Sequence, residues 1–138
     1  MPAGDYRIQN LGSGLYLGVS DDGKSLVQQP AVDNHQIWTL VPHGRDLSLI
    51  NKANGLALQT VKGKTNNGDP LQFGPADGSL NQLWTPTSSP EAWTFVDAIS
   101  DRVLDDYRQS KENGAPVVLY DGNGGANQQW GIESVKQH

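Results

Sequence analysis

The chain has no cysteine, one methionine and two phenylalanines in 138 residues. Without thiols there is no disulfide frame, no thiolate metal site and no thiol nucleophile, so packing alone must hold the fold; a reducing, cytoplasmic setting is the expectation. Charge is scarce as well, at 18 % of residues, and the net charge of −5 lies on the wrong side for phosphate backbones and acidic membrane surfaces, so no nucleic-acid partner is expected. No run comes near the roughly 20 apolar residues of a membrane span, and Met1-Pro2-Ala3-Gly4-Asp5 has neither the basic nor the apolar region of a secretion signal. Membrane insertion is therefore not expected. Asn-x-Ser/Thr sequons are also missing. Sixteen glycines and eight prolines, spread along the chain, leave no long uninterrupted helical window, which argues against a helix bundle.

What the chain has instead is a repeat. His35-Gln36-Ile37-Trp38, Asn81-Gln82-Leu83-Trp84 and Asn127-Gln128-Gln129-Trp130 share the pattern Gln-x-Trp, with successive tryptophans 46 residues apart. Upstream, the pairs Tyr6/Ile8, Leu47/Leu49 and Trp93/Phe95 precede Leu17, Leu58 and Leu104 by 11 and 9 residues in every copy. Leucine to tryptophan is 21 residues in copy one and 26 in copies two and three. One five-residue deletion accounts for this, placed where Ser20-Asp21-Asp22-Gly23 stands for the longer stretches 61–68 and 108–114. The repeat frame is about 4–45, 46–90 and 91–135, within a single domain spanning 1–138.

Within each copy the hydrophobic period is two. Tyr6-Arg7-Ile8-Gln9, Leu47-Ser48-Leu49 and Trp93-Thr94-Phe95 alternate as half-buried strands do. A turn cluster and a second short strand ending near Leu17, Leu58 or Leu104 follow. A third strand covers 25–28, 71–73 or 117–120, and a fourth starts at each Gln-x-Trp. Four strands in each of three copies predict an all-β, twelve-stranded, pseudo-threefold closed barrel with capping hairpins.

The Gln-x-Trp signature, the copy length and the threefold repetition resemble the ricin B-chain-like lectin family, whose fold is the β-trefoil. The resemblance covers residues 4–135, and without cysteines the chain looks most like the small cytosolic ricin B-like lectins of fungi. Identical aromatics in all copies are what a threefold core requires, so Trp38, Trp84 and Trp130 are expected inside, with their glutamines satisfying backbone groups. Trp93, at the place of Tyr6 and Leu47, is expected in the core by the same symmetry.

Binding residues are expected where the symmetry breaks. The resemblance implies an acid after the second strand's leucine, an aromatic near the end of the third strand, and the Asn-Gln of the signature. A carboxylate accepts from sugar hydroxyls, a ring covers the apolar sugar face, and an amide both donates and accepts. Copy three matches best, with Asp105, Tyr120, Asn127 and Gln128; strand alternation turns Tyr120 away from Leu119, and Asp106 away from Asp105. Copy two keeps Gln72, Asn81 and Gln82, with Gln59 at the acid position and Gly74 at the ring position. Copy one has Gly18, Gln29 and His35 at the three places, and Asp21 or Asp22 as substitute carboxylates, though Asp-Asp-Gly also reads as a plain hairpin tip.

Ingredients for catalysis are few. Asp97, Asp101, Asp105 and Asp106 cluster in sequence, but on a surface strand and turn they are expected to be solvated with ordinary pKa values, unlike a glycosidase acid. His35, His43 and His138 lack metal-ligand spacing, and the Asn/Asp/Gly runs at 66–69 and 121–125 lack the terminal Glu of a calcium loop. No enzyme activity, metal or cofactor is expected. The reading is a non-catalytic binder of galactose/GalNAc-type or mannose-type glycans. The rival is a lectin-like scaffold that has lost sugar binding and holds a protein partner.

Overall fold

Twelve strands are formed among the described residues of the computed structural model, 2–88 and 92–135. His138 and Met1 lie outside them. Copy one contributes β1 (Gly4–Asn10), β2 (Tyr16–Val19), β3 (Leu26–Gln29) and β4 (Trp38–His43). Copy two contributes β5 (Asp46–Asn51), β6 (Ala57–Thr60), β7 (Leu71–Gly74) and β8 (Trp84–Ser88). Copy three contributes β9 (Trp93–Asp97), β10 (Val103–Asp106), β11 (Val117–Tyr120) and β12 (Trp130–Ser134). First and fourth strands of the copies pair antiparallel in the cycle β1, β4, β5, β8, β9, β12 and back to β1, so the barrel closes without an open edge. The remaining strands form three hairpins, β2–β3, β6–β7 and β10–β11. This is the pseudo-threefold barrel that the repeat predicts and the β-trefoil that the family resemblance implies.

The alternation of the first strands is that of a barrel wall, with Ile8, Leu49 and Phe95 fully inside. Trp38, Trp84 and Trp130 are completely buried, and each indole N–H donates to the carbonyl of the leucine one hairpin back: Leu17 at 2.9 Å, Leu58 at 3.2 Å and Leu104 at 3.2 Å. That bond explains why the leucine and the tryptophan recur together. A buried indole N–H needs an acceptor, and the second strand supplies one at the same place in each copy. Phe73 stacks on Trp38 with ring centroids 6.0 Å apart.

Two expectations are corrected here. Trp93 packs against the core but is only partly buried, unlike Tyr6 and Leu47. It pairs across the seam with Trp130 and Ser88, as the first residue of β9. The deletion in copy one is also not one event. Leu17 pairs with Gln28, eleven residues on, whereas Leu58 pairs with Phe73 and Leu104 with Leu119, each fifteen on. Four of the five missing residues thus come from the β2–β3 turn and one from the stretch after β3. The register settles that Gln29, Gly74 and Tyr120 are equivalent.

A short 3-10 turn precedes each fourth strand: Asn34–Gln36, Leu80–Gln82 and Ala126–Gln128. Each packs onto the second strand of its copy, and this places a second layer over strands that otherwise face water. In copy three the consequence is that all four residues of β10 are buried.

Candidate functional site

The glutamine of each Gln-x-Trp is buried and fully used. Its carbonyl accepts from backbone N–H groups of the preceding loop: Val32 and Asp33 for Gln36, Asp77 for Gln82, Asn123 for Gln128. Its amide N–H meets a side-chain oxygen in every copy, and the source of that oxygen is what differs. Gln36 donates to Gln29 Oε1 at 2.6 Å, Gln82 to Gln59 Oε1 at 2.9 Å, and Gln128 to Asp105 Oδ2 at 2.8 Å.

In copies one and two the amide that answers the glutamine folds over a glycine. A Cβ on Gly18 would stand 2.6 Å from Gln29 Oε1, and a Cβ on Gly74 would stand 2.5 Å from Gln59 Oε1. Copy one therefore takes its oxygen from the third strand, and copy two from the second, with a glycine opposite in each case. Copy three has no such exchange. Asp105 is short, so it satisfies Gln128 and still leaves room for a large residue at the end of β11, where Tyr120 stands 37 % exposed while Leu119 beside it is fully buried.

Asp105 and Tyr120 line one cleft of about 320 Å³ together with Tyr107, Arg108, Gln109, Asn123 and Asn127. Asn127 is held by a bond from its amide to the Asp106 carbonyl at 3.2 Å. Gln128 does not line this cleft; it fixes the Asp105 carboxylate and, through the Asp121 carbonyl at 2.7 Å, the loop beyond Tyr120. Tyr107, Arg108, Gln109 and Asn123 were not singled out from the sequence. Arg108 and Gln109 reach the cleft because both hold left-handed backbone, at φ 58° and 56°. Non-glycine residues seldom adopt it, and no residue pattern announces it. The nearest signal is the extra length of 108–114 over copy one.

The acids are not solvated as expected. Asp97, Asp105 and Asp106 are all buried, because a 3-10 turn covers β10 and the turn after β9 closes over Asp97. Asp97 takes the place of Asn10 and Asn51. Its carboxylate accepts from the Ser100 N–H and hydroxyl, as Asn10 accepts from Gly12 and Ser13, so it fastens a turn. Burial pushes the Asp105 carboxyl above the ordinary carboxylate value, and the amides of Gln128 and Asn127 pull it part of the way back. Asp106 is pushed up to about 7, first by burial and then by the charge of Asp105. Asp105 and Asp106 line different clefts, as strand alternation requires.

The weaker candidates are dispersed. Gln59 is half-buried and bound to Gln82, Gln72 is exposed on β7, and Asn81 donates to the Thr60 carbonyl at 3.2 Å beside the exposed Leu80. Asp21 lines a cleft of about 480 Å³ in copy one with Gln29, Val32 and His35, whose Nδ1 lies 2.8 Å from Asp33. Asp22 accepts from the Ser20 hydroxyl at 2.5 Å and the Lys24 N–H at 3.0 Å, which makes it the fastener of the hairpin tip; those bonds hold its carboxyl below the ordinary value.

Among solved structures, a designed threefold-symmetric protein, ThreeFoil, superposes with a TM-score of 0.90 at 27 % identity, covering 95 % of this chain and 99 % of that one. The Macrolepiota procera ricin B-like lectin, in complex with lactose, gives 0.87 at 22 %, covering 98 % and 99 %. An exo-β-1,3-galactanase from Clostridium thermocellum gives 0.88 at 24 %, covering 96 % of this chain but only 30 % of the enzyme. No curated protein sequence matches the chain. The family model for the ricin-type β-trefoil lectin domain-like group matches residues 1–74 and 80–138, nearly the whole chain. With the threefold barrel and the three Gln-x-Trp turns, this places the chain in that family.

Proposed function

We propose that the chain is a non-catalytic glycan-binding protein whose complete site is the cleft of copy three. One observation carries this reading: a carboxylate held in place by Gln128 forms the floor of a cleft whose wall is the outward ring of Tyr120. Asp105 accepts from two neighbouring sugar hydroxyls, Tyr120 covers the C–H face, and Asn127 and Arg108 supply donors. Galactose- or GalNAc-type sugars are the first class to test, since the Macrolepiota lectin holds lactose and the galactanase acts on a galactan; mannose-type sugars are the second. Two or three hydrogen bonds and one ring contact, less the cost of association, correspond to about −4 to −8 kcal/mol, millimolar to micromolar. Avidity through several chains then raises the effective strength.

Hydrolysis is not supported by the arrangement of the acids. A glycosidase needs two carboxyls flanking one bond, and Asp105 and Asp106 face separate clefts. The second reading, a scaffold for a protein partner, is favoured by the exposed Leu80 and Ile99, which with Val61 and Thr60 line an apolar cleft in copy two. A glycan array followed by titration calorimetry separates the two. Asp105→Ala should weaken sugar binding roughly 10- to 100-fold, the worth of a charge-assisted hydrogen bond, and Tyr120→Ala about tenfold. Wild-type affinity in both variants, or silence across the array, rejects the glycan site.

A further inference from the structure

Beside the cleft just described lies a second one, of about 400 Å³, with Asp106 at its base. Asp106 is 1 % exposed, and neither carboxylate oxygen has a hydrogen-bond partner. An unsatisfied buried carboxylate is costly, and the fold does not require one here: the same strand position is Val19 in copy one and Thr60 in copy two. The walls differ in the same sense. Copy two lines its equivalent cleft, of about 560 Å³, with the apolar Leu80 and Ile99, whereas copy three has the small Ala126 and Gly12 at those positions. Three changes at three equivalent places thus strip the apolar side chains from this cleft and put an acceptor at its base.

Gln109 and Asn127 line both clefts of copy three. Lys111 stands exposed at the mouth of the second. A cationic ligand would meet repulsion from that ammonium, while a neutral hydroxylated one gains the lysine and the two amides as partners and gives Asp106 the donors it lacks. We propose that the Asp106 cleft is a second saccharide subsite, adjoining the Asp105–Tyr120 site across Gln109 and Asn127, so that copy three selects a disaccharide or longer glycan over a monosaccharide. This rests on the glycan reading above and extends it to a neighbouring ring.

The test is calorimetric titration of the whole chain with galactose against lactose, and mannose against α-1,2-mannobiose. Three proteins are compared: wild type, Asp106→Thr, which installs the residue of copy two, and Ala126→Leu, which installs the apolar wall of copy two without touching the acid. Wild type should bind the disaccharide of one pair about tenfold or more tighter than its monosaccharide. Both variants should bring the disaccharide down to the monosaccharide level and change monosaccharide affinity less than about twofold. Equal affinities for both members of each pair in wild type, or a preference that neither variant alters, overturn the subsite and leave the Asp105 site standing. A parallel loss of both sugars in Asp106→Thr, with Ala126→Leu unaffected, also overturns it, since Asp106 would then act only by positioning Asp105. If neither pair binds to wild type, the glycan reading falls and the subsite with it.

Discussion

Copies two and three share a backbone plan, a buried tryptophan and a glutamine that demands an oxygen, yet one has an open acid-floored cleft and the other has none of that kind. In copy two the oxygen is the amide of Gln59, long enough to lie across Gly74 and close the space. In copy three it is the carboxylate of Asp105, short enough to leave Tyr120 its place. The glutamine is satisfied equally well in both, so stability does not choose between them. A requirement of the core is met by interchangeable partners, and the choice of partner decides whether a ligand surface forms above it.

The largest expected effect tests what the copies have in common. Trp84→Ala should cost about 3–5 kcal/mol in denaturant unfolding, because it removes a fully buried ring and leaves a cavity in the core. Trp93→Ala, at a partly buried position, should cost clearly less; equal losses would contradict the difference in burial described for these two rings. Next comes the closing of copy three: Asp105→Gln with Tyr120→Gly reproduces the pairing of copy two and should abolish measurable sugar binding while the melting temperature stays within a few degrees. The converse double change, Gln59→Asp with Gly74→Tyr, should open copy two and raise calorimetric stoichiometry from one site per chain to two. An unchanged stoichiometry would show that more than this diagonal pair sets the difference.

The smallest effect is in pH dependence. Between pH ~4 and about 7 the folded protein keeps on Asp106 a proton that the unfolded chain has released, so this contribution to stability is fully present at the acid end and is lost as pH rises through the window. Asp105, raised in the same direction, adds to the slope, less the part that the amides of Gln128 and Asn127 take back. Thermal melts across this range should show stability falling towards neutrality, and Asp106→Thr should flatten the curve. Copy two, with Thr60 at that position, contributes no such slope.

Much of this is legible in the sequence, for reasons that can be named. The Gln-x-Trp spacing, the leucine upstream and the period of two follow from geometry that repeats, so threefold packing leaves a threefold trace in the residues. Tyr120 could be placed outward because alternation along β11 is regular. At β10 alternation holds but the expected solvation does not: Asp105 and Asp106 face different clefts and are both buried, because the cover comes from the 3-10 turn Ala126–Gln128, about twenty residues away. Gln29 and Gln59 read as eroded binding positions, while in the fold they do the work of Asp105 for their own glutamines.

The residues by themselves determined the number of copies, the strand order within each and the burial of Trp38, Trp84 and Trp130, since these depend on periodicity and on burying apolar surface. Only the tertiary structure decided which oxygen answers each buried amide, that Arg108 and Gln109 turn into the cleft, and that Asp106 is left without a partner. Hydrogen-bond partners and solvent exclusion are set by segments distant in the chain, and no local pattern encodes a contact whose second member is elsewhere.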